Sequence, residues 1–135
     1  MFNAFLSQRG LISIGGEDSL EFLQGLVSND VRPLADGKPV YAALLSPQGR
    51  FLHDFFLIPW NGKIFVDVKR DRVGDLFSRL KIYRLRSKVE IAVEESFYVC
   101  ALWGEVIAEN ENPDYNIYAD PRLPELGFRA VGRKD

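Results

Sequence analysis

Between residues 39 and 69 the chain sets three apolar runs around two tight turns, and that pattern leaves little room for anything but an antiparallel sheet. Pro47-Gln48-Gly49 separates the run at 39–46 from the one at 50–58, and Asn61-Gly62 separates the latter from 63–69. Asn-Gly between apolar runs is a strong hairpin signal, because both turn residues tolerate positive φ. In 50–58 side-chain alternation sends Leu52, Asp54, Phe56 and Ile58 to one face and Phe51, His53, Phe55 and Leu57 to the other. Both faces are apolar, so both are expected to be covered. Asp54 is then a carboxylate on a hydrophobic wall, a costly placement unless something pairs with it.

The flanks add helices. LISI at 11–14 reads as a strand closed by Gly15-Gly16, and Asp18 with Glu21 three residues on has the spacing of a capping box. Leu20, Leu23, Leu26 and Val27 then share a helical face. A second helix starts near Asp71 and presents Val73, Leu76, Phe77 and Leu80 on one side. Strands follow at 89–94 and 97–103, with Glu95-Ser96 as their turn. The proline-rich stretch 109–127 reads as an extended segment, followed by a short strand at 128–131. The order β-α-β-β-β-α-β-β describes an α+β domain over residues 1–135, two helices on a mostly antiparallel sheet. Its expected core includes Leu23, Leu26, Leu44, Leu57, Val66, Val68, Leu76, Leu80 and Ile91.

Composition narrows the chemistry. With 135 residues, 47% hydrophobic, the chain can build a real core, and a net charge of −2 argues against general nucleic-acid binding. The charge is uneven: residues 69–88 hold eight basic side chains against two acidic ones, and 94–125 hold eight acidic against Arg122 alone. His53 and Cys100 are the single histidine and cysteine, which gives no metal-ligand cluster and no internal disulfide. There is no Walker motif, no Rossmann glycine spacing and no nucleophile elbow. No catalytic or metal-ligating residue is assigned. No apolar run approaches the ~20 residues of a membrane-spanning helix. MFNAFLSQRG lacks the pattern of a secretory signal, so the expectation is a cytoplasmic protein without a membrane partner.

Four features remain. Asp54 is either a structural aspartate satisfied within the protein or a carboxylate that accepts donors from a heterocyclic ligand. Asp67, in KIFVDVK, is either on the solvated side of a half-buried strand or part of the same site. Tyr41 is either a packing residue with its hydroxyl at the edge or a ligand contact. His53 points away from Asp54 and is expected in the core. Arg84, Arg86 and Lys88 alternate in YRLRSK, so they are either a solvated face or, if extended, an anion site for glutamates or RNA phosphates.

Three blocks, GGEDSLEFLQGLVSNDVRPL, YAALLSPQGRFLHDFFL and LKIYRLRSKVEI, together resemble the amino-terminal half of the YgfZ-type folate-binding proteins, relatives of the glycine-cleavage T-protein. YADPRLPELGFRAV is similar to the family's next segment. The resemblance implies a tetrahydrofolate site, with Tyr41, Asp54 and Asp67 at the positions of the T-protein's folate-side tyrosine, aspartate and asparagine. It also implies help to iron–sulfur or tRNA-modifying enzymes. His53 replaces the first of two consecutive acids in the T-protein pattern, which favours the YgfZ branch over aminomethyltransferase chemistry. The family signature K-G-C-[FY]-x-G-Q-E is absent, and Cys100 in YVCALWG is not its cysteine. Three readings stand: a folate-binding module, an aminomethyltransferase-like enzyme in which Asp54 steadies charge on the folate-bound amine, and a domain that forms homo-oligomers through the face a missing half would cover.

Overall fold

A computed structural model of the chain describes residues 2–103 and 109–134. The strands are β1 (Phe2–Phe5), β2 (Arg9–Gly15), β3 (Val40–Leu45), β4 (Phe51–Trp60), β5 (Lys63–Lys69), β6 (Glu90–Glu94), β7 (Phe97–Trp103), β8 (Asn110–Glu111), β9 (Tyr115–Ala119) and β10 (Phe128–Arg133). Helix α1 (Ser19–Gln24) lies between β2 and β3, and α2 (Val73–Arg84) between β5 and β6. From β2 to β7 this is the expected order, and the α+β class holds.

The strands form two antiparallel sheets rather than one. The first has the order β3-β4-β5-β2-β6 and the second β1-β7-β10-β9-β8. β7 does not pair with β6 across Glu95-Ser96; it crosses into the second sheet between β1 and β10. The segment 109–127 is not simply extended: it supplies β8, β9 and a 3-10 turn at Pro124–Leu126. Alternation hides this, because a strand with two covered faces looks the same whether helices or a second sheet covers it.

Both faces of the first sheet are covered. Ile12, Ile14, Phe55, Leu57, Val66 and Val68 pack against Leu23, Leu76 and Leu80 of the helices. On the other face Leu11, Phe56, Ile58, Trp60 and Phe65 pack against Val99, Tyr118 and Val131 of the second sheet. Of the expected core, Leu26 and Ile91 are only partly buried, at the margin of the helix-side cluster.

Local chemistry explains the turns. Asn61 (φ 52°) and Gly62 (φ 74°) both adopt positive φ, as the hairpin between β4 and β5 requires. Gly16 has φ 110°, and a side chain there would run into the Lys88 carbonyl. Asp18 stands at the N-cap of α1, as expected, but its side chain makes no capping hydrogen bond. Its carboxylate accepts the Lys88 N–H at 2.7 Å, so it ties the helix entry to the approach to β6. The stretch YRLRSK is not a strand: α2 runs to Arg84, Leu85 turns with φ 45°, and the Ser87 N–H bonds to the Arg84 carbonyl at 2.8 Å. Arg84, Arg86 and Lys88 therefore do not point one way as alternate strand residues would.

Candidate functional site

One register row crosses the first sheet on the side that faces the second. Tyr41 of β3 sits opposite Phe56 of β4, Phe56 opposite Asp67 of β5, and Asp67 opposite Leu11 of β2. Asp54 lies two residues along β4 and pairs across to Ala43. The sheet thus brings the three sequence-derived candidates together. Asn29 Nδ2 donates to the Tyr41 carbonyl at 2.9 Å and helps fix that end of the row.

The Tyr41 hydroxyl donates to Asp54 Oδ2. Burial first, and then this bond, raise the Tyr41 pKa above the ordinary tyrosine value. Asp54 Oδ1 makes no hydrogen bond to a described residue. Its placement on an apolar wall is thus only half answered by the protein.

Asp67 is not on a solvated face. Its side chain is 0% exposed and receives Arg9 Nε on Oδ1 and Arg129 Nη2 on Oδ2, each at 2.7 Å. Arg9 Nη2 also donates to the Asp67 carbonyl at 2.9 Å. Both carboxylate oxygens are committed, so the charge is paired as a buried one must be. Burial, the largest single influence, would lower the Arg129 pKa, but the Asp67 charge together with Tyr118 and the bond to Asp67 outweighs it and holds the guanidinium above its ordinary value. Among the described residues the buried Arg129 Nε and Tyr118 hydroxyl find no hydrogen-bond partner, and burial drives the Tyr118 pKa strongly upward.

Three arginines surround Phe56. Arg129 lies 4.1 Å from its ring centroid, Arg122 4.9 Å and Arg9 5.7 Å. Arg122 also lies 5.7 Å from the Tyr41 ring. It is held by Asp120, which accepts Arg122 Nε at 3.0 Å, Nη2 at 2.7 Å and the backbone N–H at 2.9 Å. Burial would raise the Asp120 pKa, but these bonds overcome it and lower it. Asn29, Asp30, Val40, Tyr41, Pro121 and Arg122 line an open cleft of about 540 Å³.

Sequence reasoning missed Arg9, Arg122 and Arg129. Asp120-Pro121-Arg122 was a readable signal, since an arginine two residues after an aspartate can fold back on it. The motif alone does not mark a site: Asp30 and Arg32 make the same pair on the surface, with Arg32 84% exposed. What sets Arg122 apart is tertiary, the two rings beneath it.

The remaining candidates lie elsewhere. Arg84 and Lys88 line a different open cleft with Gly16, Glu17, Ser87 and Glu90, and Lys88 pairs with Glu17 at 3.1 Å. His53 is buried on the helix side, and its Nε2 lies 2.6 Å from Asp75 Oδ2 of α2. No group of three or more histidine, cysteine, aspartate or glutamate side chains suited to a metal exists among the described residues.

No family model matches the chain. Among curated proteins it is similar to the "Iron-sulfur cluster assembly factor IBA57 homolog, mitochondrial" of Mycosarcoma maydis, 31% identical over 95% of this chain and 35% of that protein. The protein of the same name from Neurospora crassa is 30% identical over 93% of this chain and 33% of its own length. The chain thus spans about a third of the length of these relatives. Among solved structures it resembles the glycine cleavage system aminomethyltransferase T from Bartonella henselae, with a TM-score of 0.75 at 16% identity, over 98% of this chain and 41% of that one. The cytoplasmic expectation does not stand against these relatives, whose names place them in mitochondria.

Proposed function

We propose that this chain, which has the YgfZ-type, aminomethyltransferase-related fold, works in iron–sulfur cluster assembly by holding tetrahydrofolate or a derivative against its first sheet. The observation that carries the reading is the Tyr41–Asp54 pair, whose tyrosine lines the open cleft. Tyr41 occupies one carboxylate oxygen and leaves the other for ring N–H or amino donors of a pterin. The cleft volume of about 540 Å³ falls within the range of small-molecule sites, roughly 300–1,000 Å³. The residues present therefore fit the group. Folate supplies a one-carbon carrier; the chain supplies the wall that binds and orients it.

Asp67 acts one step back. It fixes Arg9 and Arg129 around Phe56, and Phe56 packs against Tyr41 of the cleft wall. The clients served by such a protein are iron–sulfur enzymes, including those that modify tRNA. The names of the mitochondrial relatives support the iron–sulfur part of this reading.

Isothermal titration of tetrahydrofolate into the wild-type chain and Asp54→Ala tests the proposal. Saturable binding that weakens at least about tenfold in the variant is expected, the loss of a charge-assisted pair of bonds. Equal binding by both proteins removes Asp54 from the site.

A further inference from the structure

The cleft beside Tyr41 contains a cation that the pterin contacts do not use. Arg122 presents one edge of its guanidinium to Asp120, through Nε and Nη2, and its Cζ lies over the rings of Phe56 and Tyr41, 4.9 and 5.7 Å from their centroids. A guanidinium has five N–H donors in a fixed fork. With Nε–H and one Nη2 proton on Asp120, the second edge is the Nη1 amine and the remaining Nη2 proton. That edge makes no hydrogen bond to a described residue. Arg122 lines the cleft and its side chain is 39% exposed, whereas Asp120 behind it is 2% exposed.

This arginine is therefore ordered before any ligand arrives. A free surface arginine loses rotamer freedom when it binds; one clamped by a buried carboxylate and seated over two rings has already lost it. The acid on the same cleft does not compete, because Asp30 is engaged by Arg32 at 2.8 Å. Arg32 has the same local pairing but no ring contact among the described residues, and it supplies no comparable fixed edge.

We propose that Arg122 is a specificity-determining residue of this cleft: its outer edge takes a carboxylate of the ligand in a two-point contact while the ligand's ring end lies toward Tyr41 and Asp54. The proposal rests on the folate reading for the ligand's identity, and the carboxylate is then that of the aminobenzoyl-glutamate end. It places anion recognition at Arg122 rather than at Arg84, Arg86 and Lys88, two of which line another cleft.

Calorimetry with three probes separates the possibilities: tetrahydrofolate, 6-methyltetrahydropterin, which lacks the glutamate end, and p-aminobenzoylglutamate, which lacks the pterin. In Arg122→Gln, tetrahydrofolate and p-aminobenzoylglutamate should each weaken about tenfold, and methyltetrahydropterin should stay within about twofold of wild type. Arg122→Lys should restore only part of the loss, because an ammonium cannot make the two-point contact. Thermal unfolding of both variants checks that the fold is intact. Equal losses for the pterin and the folate overturn the inference, as a merely structural role predicts them. Unchanged tetrahydrofolate binding in Arg122→Gln also overturns it and leaves the folate reading in place. Arg122-dependent binding of p-aminobenzoylglutamate alone supports the inference and overturns the folate reading. Failure of all three probes to bind wild type overturns both.

Discussion

Asp67 of β5 and Arg129 of β10 meet at 2.7 Å between the two sheets, with the carboxylate wholly enclosed. This pair and Arg9 fix how the second sheet sits over Phe56, which packs against Tyr41 of the cleft wall. Removing one partner from a buried carboxylate leaves charge that water cannot reach. Arg129→Met should cost about 3 kcal/mol or more in urea unfolding. Arg32→Met breaks a surface pair of the same chemistry and should cost less than about 1 kcal/mol. Similar costs for the two would mean that the buried pair does not organise the sheets.

The phenol of Tyr41 should report its bond to Asp54. Its pKa is raised, by burial and then by that bond, so the folded state keeps the proton longer than the unfolded chain. The associated stability is complete below the ordinary tyrosine pKa of about 10 and is lost as pH rises through the higher folded value. Asp54→Asn should move the Tyr41 titration toward the ordinary value and flatten the alkaline slope of stability. Ultraviolet titration against a Tyr41→Phe reference isolates that residue. A midpoint that does not move in Asp54→Asn would place the shift in burial alone.

Asp75 gives the opposite sign. Arg79 first and then His53 hold its carboxyl below the usual carboxylate range. Stability from this source is present above the unfolded pKa of about 4 and is lost as pH falls through the folded value. Asp75→Asn should therefore lower the melting temperature at pH near 7 and converge with wild type in acid, as thermal scans over about pH 2–7 would record. A constant gap across that range would assign the contribution to helix polarity or packing instead of ionisation.

The parts of this molecule written in local pattern were legible in its sequence. Asn61-Gly62 announced its hairpin, alternation in 50–58 placed Asp54 and His53 on opposite faces, and Val73, Leu76 and Leu80 marked the buried side of α2. The second sheet was not legible. Leu11, Phe56 and Val131 are apolar whether their partner is a helix or a strand, and the prolines around β8 and β9 masked short pairings. Tyr41 and Asp54 were singled out as residues, but their arginine surround depends on contacts that join sequence positions far apart, such as Arg9 with Asp67. Asp67 was misplaced for the same reason: a carboxylate in an alternating strand looks solvated until two distant arginines are seen to enclose it.

Nuclear magnetic resonance mapping of 5-formyl-tetrahydrofolate onto the 135-residue chain tests whether Tyr41 and Asp54 bind a folate. Saturable amide shifts concentrated at Tyr41, Asp54 and the 120–122 turn are expected, with the tail of the ligand shifting Arg122. Shifts confined to residues 84–88, or no saturable shifts at all, would contradict folate binding there.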